Sequence, residues 1–341
     1  MSKENNATKK QLGSIPISIL DLATVSEGST PADSFRNTLD LAQHAESWGY
    51  NRYWVAEHHN MKPIASSATS VILSHIAART SKIRLGSGGI MLPNHAPLVI
   101  AEQFGTLESL YPNRIDLGLG RAPGTDQITA RAVRRDRTTE FPEQVNELLG
   151  YFNPAKFAPN NPVKANPGEG LKIPVWLLGS SDYSARLAAH LGLPFSFAGH
   201  FSPSYTFPAI QAYRENFRPS EILKEPYVMM GMNLTAADTD EEAKFLFSST
   251  EQHFLGLVRG NPVHIQPARD MNTVWSERER EAVYQSISGS IVGSPQTVKG
   301  QLEKFIDNAQ IDEIMLTSYI FNHEDRLKSY EIISEFINQN E

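Results

Sequence analysis

Cysteine is absent from all 341 residues. That excludes a disulfide framework, a thiolate nucleophile and any Cys-ligated zinc or iron–sulfur site. Long apolar runs are missing too, since no segment approaches the ~18 residues needed to cross a bilayer. There is no basic excess: 31 Lys and Arg against 38 Asp and Glu give a net charge of −7. No positive stripe is therefore left to displace counterions from a nucleic acid. The opening MSKENNATKKQLGS has no apolar centre, so residues 1–14 read as a flexible tail rather than a signal peptide. No internal repeat or low-complexity tract interrupts the rest. These absences leave a soluble, cytoplasmic globular protein over residues 15–341, with neither nucleic acid nor membrane as a partner.

What is present is an alternation of short apolar runs and amphipathic stretches. The runs are Ile15–Leu20, Tyr53–Ala56, Ile83–Leu92, Ile115–Leu119, Val175–Leu178, Phe195–Phe197, Tyr227–Leu234 and Glu313–Thr317. Helical patterns follow over Ser34–Trp48, Ser67–Arg79, Pro97–Leu110, Glu140–Leu149, Ser181–Leu191, Ser204–Phe217, Glu241–Ser249 and Thr297–Ala309. Strands alternating with helices imply right-handed crossovers and a parallel sheet covered on both faces. About eight such units at this length predict a single (β/α)8 barrel. Two stretches break the rhythm. Lys156–Lys172, rich in Pro, Asn and Gly, reads as a loop. Phe254–Glu281 reads as an insertion within about residues 250–285, either a lid over the catalytic face or a surface excursion.

Four features carry chemistry, and each falls on or after a strand. Glu57-His58-His59 follows the second strand, where barrels place catalytic groups and where a neutral imidazole can act as a base near pH 7. Adjacent residues on a strand point to opposite faces, so the two histidines make a poor metal pair. One faces the pocket while the other caps the loop. No metal site is expected. Gly86-Ser87-Gly88-Gly89 lies inside the third strand, which marks either a bulge beside a ligand or a tight packing position. Gly118-Leu119-Gly120-Arg121-Ala122-Pro123-Gly124 does not match the dinucleotide spacing G-x-G-x-x-G, and it presents Arg121 to a phosphate or carboxylate. Gly179-Ser180-Ser181-Asp182 opens a helix, either as an anion site or as an ordinary N-cap.

In this order the four features resemble the bacterial luciferase-like, flavin-dependent monooxygenase family. The most specific portions are WVAEHH, LGSGGIMLPNHAPLVIAEQFGTLESLYPNRIDLGLGRAPG and VWLLGSSDYSARLAAHLGLP. The resemblance implies a (β/α)8 barrel, usually dimeric, that binds reduced FMN or, in some branches, the deazaflavin F420. It implies catalysis at the flavin C4a position by His58, with His59 matching the second histidine of the motif. It also implies a non-prolyl cis peptide at Gly88-Gly89 against the isoalloxazine ring, and Gly120 at the C4a edge. Arg121 falls in the phosphate region, and Gly179, Ser180 and Ser181 in the phosphate turn. The activity expected is an FMN- and O2-dependent monooxygenase acting on a small organic substrate such as an aldehyde or alkane-type compound. Reduced FMN would come from a separate NAD(P)H:flavin reductase, because no dinucleotide fingerprint is visible. The alternatives are an F420-dependent hydride-transfer enzyme or a non-catalytic flavin-binding protein on the same fold.

Overall fold

A computed structural model describes residues 10–133, 138–157 and 159–337. Nine strands run in parallel: β1 Ile17–Asp21, β2 Arg52–Val55, β3 Arg84–Met91, β4 Ile115–Gly120, β5 Val175–Gly179, β6 Phe195–Phe197, β7 Val228–Ala236, β8 Ile291–Gly293 and β9 Glu313–Thr317. Each of β1 to β7 pairs with the next, β7 pairs with β9, and β9 returns to β1. Those eight close a ring. The ninth, β8, pairs only with Leu234–Ala236 at the far end of β7 and stands outside it. The fold expected from the alternation is thus the one observed, a (β/α)8 barrel.

Alternation along each strand divides the core in two. Ile17, Ile19, Tyr53 and Val55 point outward into a layer shared with the surrounding helices. Leu20, Trp54, Trp176, Met229 and Met315 point inward and form a second apolar cluster. Such side-chain layers make the barrel interior a packed core rather than a pore. The glycines of β3 and β4 serve this packing. A Cβ on Gly86 would meet the indole Nε1 of Trp54 at 2.5 Å, and one on Gly118 would collide with the backbone carbonyl oxygen of Ser87. The second obstacle is main chain and cannot swing away. Gly118→Ala is expected to cost about 3 kcal/mol or more of stability, as overpacking of a closed core does, read as a lowered urea midpoint at unchanged slope.

A polar plug fills the N-terminal end of the ring. Glu313 accepts hydrogen bonds from Arg52 Nε at 2.9 Å, Asn51 Nδ2 at 3.0 Å and the Tyr227 hydroxyl at 2.9 Å, as well as from Ser18. Asp116 accepts from Arg52 Nη1 at 2.7 Å, from Trp54 Nε1 at 3.3 Å and from Arg84. Both carboxylates have no exposed surface, so each buried charge is paired as burial requires.

The stretch expected as an insertion is only partly irregular. Phe254–Val258 finish the 19-residue helix Asp240–Val258, and Glu277–Glu281 open the helix Glu277–Ile287. Between them residue 265 bridges to Ser26 in the loop after β1. Phe247, Phe254, Leu255, Val283 and Ile287 join the inward-facing cluster together with Leu22, Ala56 and Tyr319, which follow strand C-termini. This pair of helices therefore packs on the C-terminal end of the barrel. Within the stretch expected as a tail, residues 1–9 lie outside the described residues. Lys10 pairs with Asp312 and donates to the Gln310 carbonyl at 2.9 Å.

Candidate active site at the C-terminal mouth of the barrel

A cavity of about 230 Å³ opens at the C-terminal ends of the strands. Its lining brings together His58, Gly88, Gly89, Gly120, Arg121, Gly179, Ser180 and Ser181 from the loops and strand ends of β2, β3, β4 and β5. A larger cavity of about 770 Å³ lies at the opposite end, beside Arg52, Arg84, Trp176 and Tyr227. Size does not decide between them. Barrel chemistry sits at the C-terminal face, and the two arginines of the larger cavity are engaged by Asp116 and Glu313.

His59 stands apart from His58. It does not line the cavity; its Nε2 lies 2.8 Å from Glu57 Oε1. The reason is the alternation of neighbouring side chains, which sends His58 inward and His59 away. Glu57, 1% exposed, also binds His95 Nε2 at 2.9 Å and accepts from the Met91 amide at 3.0 Å. Burial opposes its ionisation, but these hydrogen bonds and the His95 charge hold its carboxyl below the usual range. Glu57 thereby ties the end of β2 to the end of β3, and His59 belongs to that brace.

His58 is fixed from the other side. Its Nδ1 lies 3.3 Å from the Gly124 carbonyl oxygen. A carbonyl only accepts, so Nδ1 carries the proton and Nε2 keeps its lone pair. Burial pushes the imidazole below its ordinary pKa, which keeps it neutral near pH 7.

Opposite these groups lies a set of donors. Ser181 is the N-cap of the helix Asp182–Leu191, yet its side chain makes no capping hydrogen bond. The hydroxyl and the first-turn amides are left for an anion. Asp182 would oppose one, but its carboxylate turns along the helix to Arg186 Nε at 3.1 Å. The Arg121 guanidinium stacks on the Tyr183 ring, 4.1 Å from its centroid. The peptide between Gly88 and Gly89 is cis, and the β3–β4 register shifts between Ser87 and Ile90.

The luciferase-like monooxygenase family model matches residues 15–312. The chain belongs to the luciferase-like monooxygenases. It is 52% identical to a luciferase-like monooxygenase of Escherichia coli K12, over 93% of this chain and 96% of that protein. It is 33% identical to N-acetyl-S-alkylcysteine monooxygenase of Bacillus subtilis, over 95% and 98% of the two chains. The solved structure of apo-MsnO8 superposes with a TM-score of 0.83 at 33% identity, covering 94% of this chain and 97% of that one. Members of the luciferase-like monooxygenases are oxygenating oxidoreductases. At 14–16% identity the same fold holds FMN in a type II Baeyer–Villiger monooxygenase and an F420–acetone adduct in a secondary alcohol dehydrogenase.

Sequence reasoning missed other polar residues of this mouth. Ser184, Ser196 and His200 also line the cavity, and His253 from the covering helix stacks on Tyr319 at 4.4 Å. One signal was available for His200: it follows its strand by three residues, as His58 follows β2.

Proposed function

We propose that this protein is an FMN-dependent monooxygenase that takes reduced FMN from a separate NAD(P)H:flavin reductase and oxygenates a small organic substrate. The observation that carries the reading is the meeting, in one mouth, of a neutral imidazole with a built anion site. Ser180, Ser181 and the uncapped helix start suit a phosphate, and the Arg121 side chain adds the positive charge. Gly88, Gly89 and Gly120 offer a side-chain-free wall to a planar ring. Reduced FMN, when bound there, supplies the electrons that activate O2. His58 holds or moves a proton at Nε2 on the reacting centre. Phe247, Phe254 and Leu255 of the covering helix pack into the apolar cluster at this end of the barrel, a cover of the kind an oxygenating site needs against water. We place the enzyme in the cytoplasm, beside the reductase it requires. We also infer a homodimer, because exposed Val71, Val99 and Leu110 on the neighbouring helices Thr69–Ala77 and Pro97–Leu110 offer an apolar face.

Equilibrium titrations with FMN, reduced FMN and F420 test this reading, followed by oxygen uptake. Binding of F420 alone would refute it. Arg121→Ala is expected to weaken FMN about tenfold or more, the worth of one charge-assisted hydrogen bond. Riboflavin, which lacks the phosphate, should change less than about twofold. Equal losses for both ligands would remove Arg121 from the phosphate site.

A further inference from the structure

His200 is a second imidazole of the mouth that the proton chemistry above does not use. It leaves β6 three residues after Phe197, as His58 leaves β2 three residues after Val55. In a ring of eight strands, β2 and β6 are four steps apart, so the two histidines enter from opposite sides. Both line the cavity.

The surroundings of His200 are built rather than incidental. Its carbonyl accepts from Asn233 Nδ2 at 2.6 Å, and the same amide reaches Ser290 Oγ at 3.2 Å. The ring stands edge-on to Phe201, with centroids 4.7 Å apart. Gly231 on β7 leaves it room, since a Cβ there would lie 2.7 Å from Nδ1. Yet Nδ1 is buried without a partner. Among the described residues no acceptor pairs with Nε2 either, and unlike Nδ1 it is not among the buried orphan atoms of the cavity lining. Burial, with the nearby His58 as a lesser cause, lowers the imidazole to about 4, so it stays uncharged across the working pH range.

We propose that His200 binds the substrate of this site through Nε2, as a neutral hydrogen-bond donor to a carbonyl oxygen held between the two imidazoles, and that the site therefore selects uncharged carbonyl compounds. The proposal rests on the monooxygenase reading of the same mouth. Among the described lining residues Arg121 is the one permanent cation, and its guanidinium is turned to Tyr183. Phe201 stands against the ring, and Leu20, Leu22, Phe197, Ala198 and Met315 are among the apolar residues that line the same cavity. A carboxylate placed among them would be desolvated with no cation to pair with, which is far costlier than burying a ketone.

Cyclohexanone and cyclohexanecarboxylate, similar in shape and different in charge, serve as probes against the FMN-loaded protein in the oxidised state. The readouts are calorimetric affinity and the histidine ring-nitrogen resonances. Cyclohexanone is expected to bind at least tenfold more tightly than the carboxylate and to shift the His200 Nε2 resonance. His200→Ala should weaken cyclohexanone about tenfold, while His200→Gln, which keeps an N–H donor, should restore most of that loss. Unchanged ketone affinity in His200→Ala, carboxylate binding as tight as ketone binding, or no ketone binding to wild type would each overturn the proposal. If FMN itself fails to bind, the cofactor reading falls. The same titrations on the cofactor-free protein then decide His200 by the same criteria.

Discussion

Replacing His58 by alanine is expected to lower turnover by about 10²–10⁴-fold, the range that a positioned general acid or base supplies. FMN affinity should stay within about threefold of wild type, because the phosphate donors sit on β4 and β5 rather than β2. The imidazole is neutral for a physical reason: burial disfavours its charged form. Its proton stays on Nδ1 because Gly124 offers only an acceptor there. The base form should therefore persist below pH 6.5, and the acid limb of the pH–rate profile should lie under the ordinary histidine value. His58→Ala should abolish that limb as well as the rate. Turnover equal to wild type in single-turnover oxygen uptake would remove His58 from the chemistry.

Acidification is expected to destabilise the protein between about pH 6.5 and pH 4, before most carboxylates titrate. His253 is 5% exposed, and burial, followed by the nearby His58, lowers its pKa from 6.5 to about 4. Between those two values the unfolded chain binds a proton that the folded chain refuses. Stability therefore falls as the pH drops through that window and is fully present above 6.5. The shift is worth about 3 kcal/mol at its acid end. His253→Phe keeps a ring against Tyr319 and has nothing to titrate. Urea midpoints measured from pH 7 to pH 4 should fall less steeply in that variant, by about the same 3 kcal/mol. Parallel pH profiles for the two proteins would show that His253 is not held neutral.

Much of the barrel was legible because its strands are buried on both faces and read as compact apolar runs. All eight ring strands fall within two residues of the runs that announced them. The elements that escaped had weak signals. β8 is three residues long, and the helix Glu277–Ile287 buries only Val283 and Ile287. The helix His323–Ser334 buries Arg326 and Ser329 beside its apolar residues, which blurs its periodicity. Arg326 is tolerated inside because Asp21 lies 3.4 Å away. At the site, position after a strand pointed to His58, Arg121 and Ser180–Ser181, while the assignment of their roles came from the resemblance. His200 and His253 were hidden because a lone histidine in an apolar stretch looks the same whether it fills a core or waits for a ligand. The closed ring brings His200 to the mouth with His58, and the helix that covers the ring brings His253 close enough for the His58 charge to act on it.

The plug of Arg52, Arg84, Asp116 and Glu313 has a kinetic corollary. With the barrel interior packed by side chains and its N-terminal end filled by paired charges, reactants reach the cavity from the C-terminal side and must share that approach. Whatever lies deepest has to arrive first and depart last. Turnover should accordingly follow a compulsory sequence, with flavin admitted ahead of the organic reactant and released only after the product has cleared the threshold.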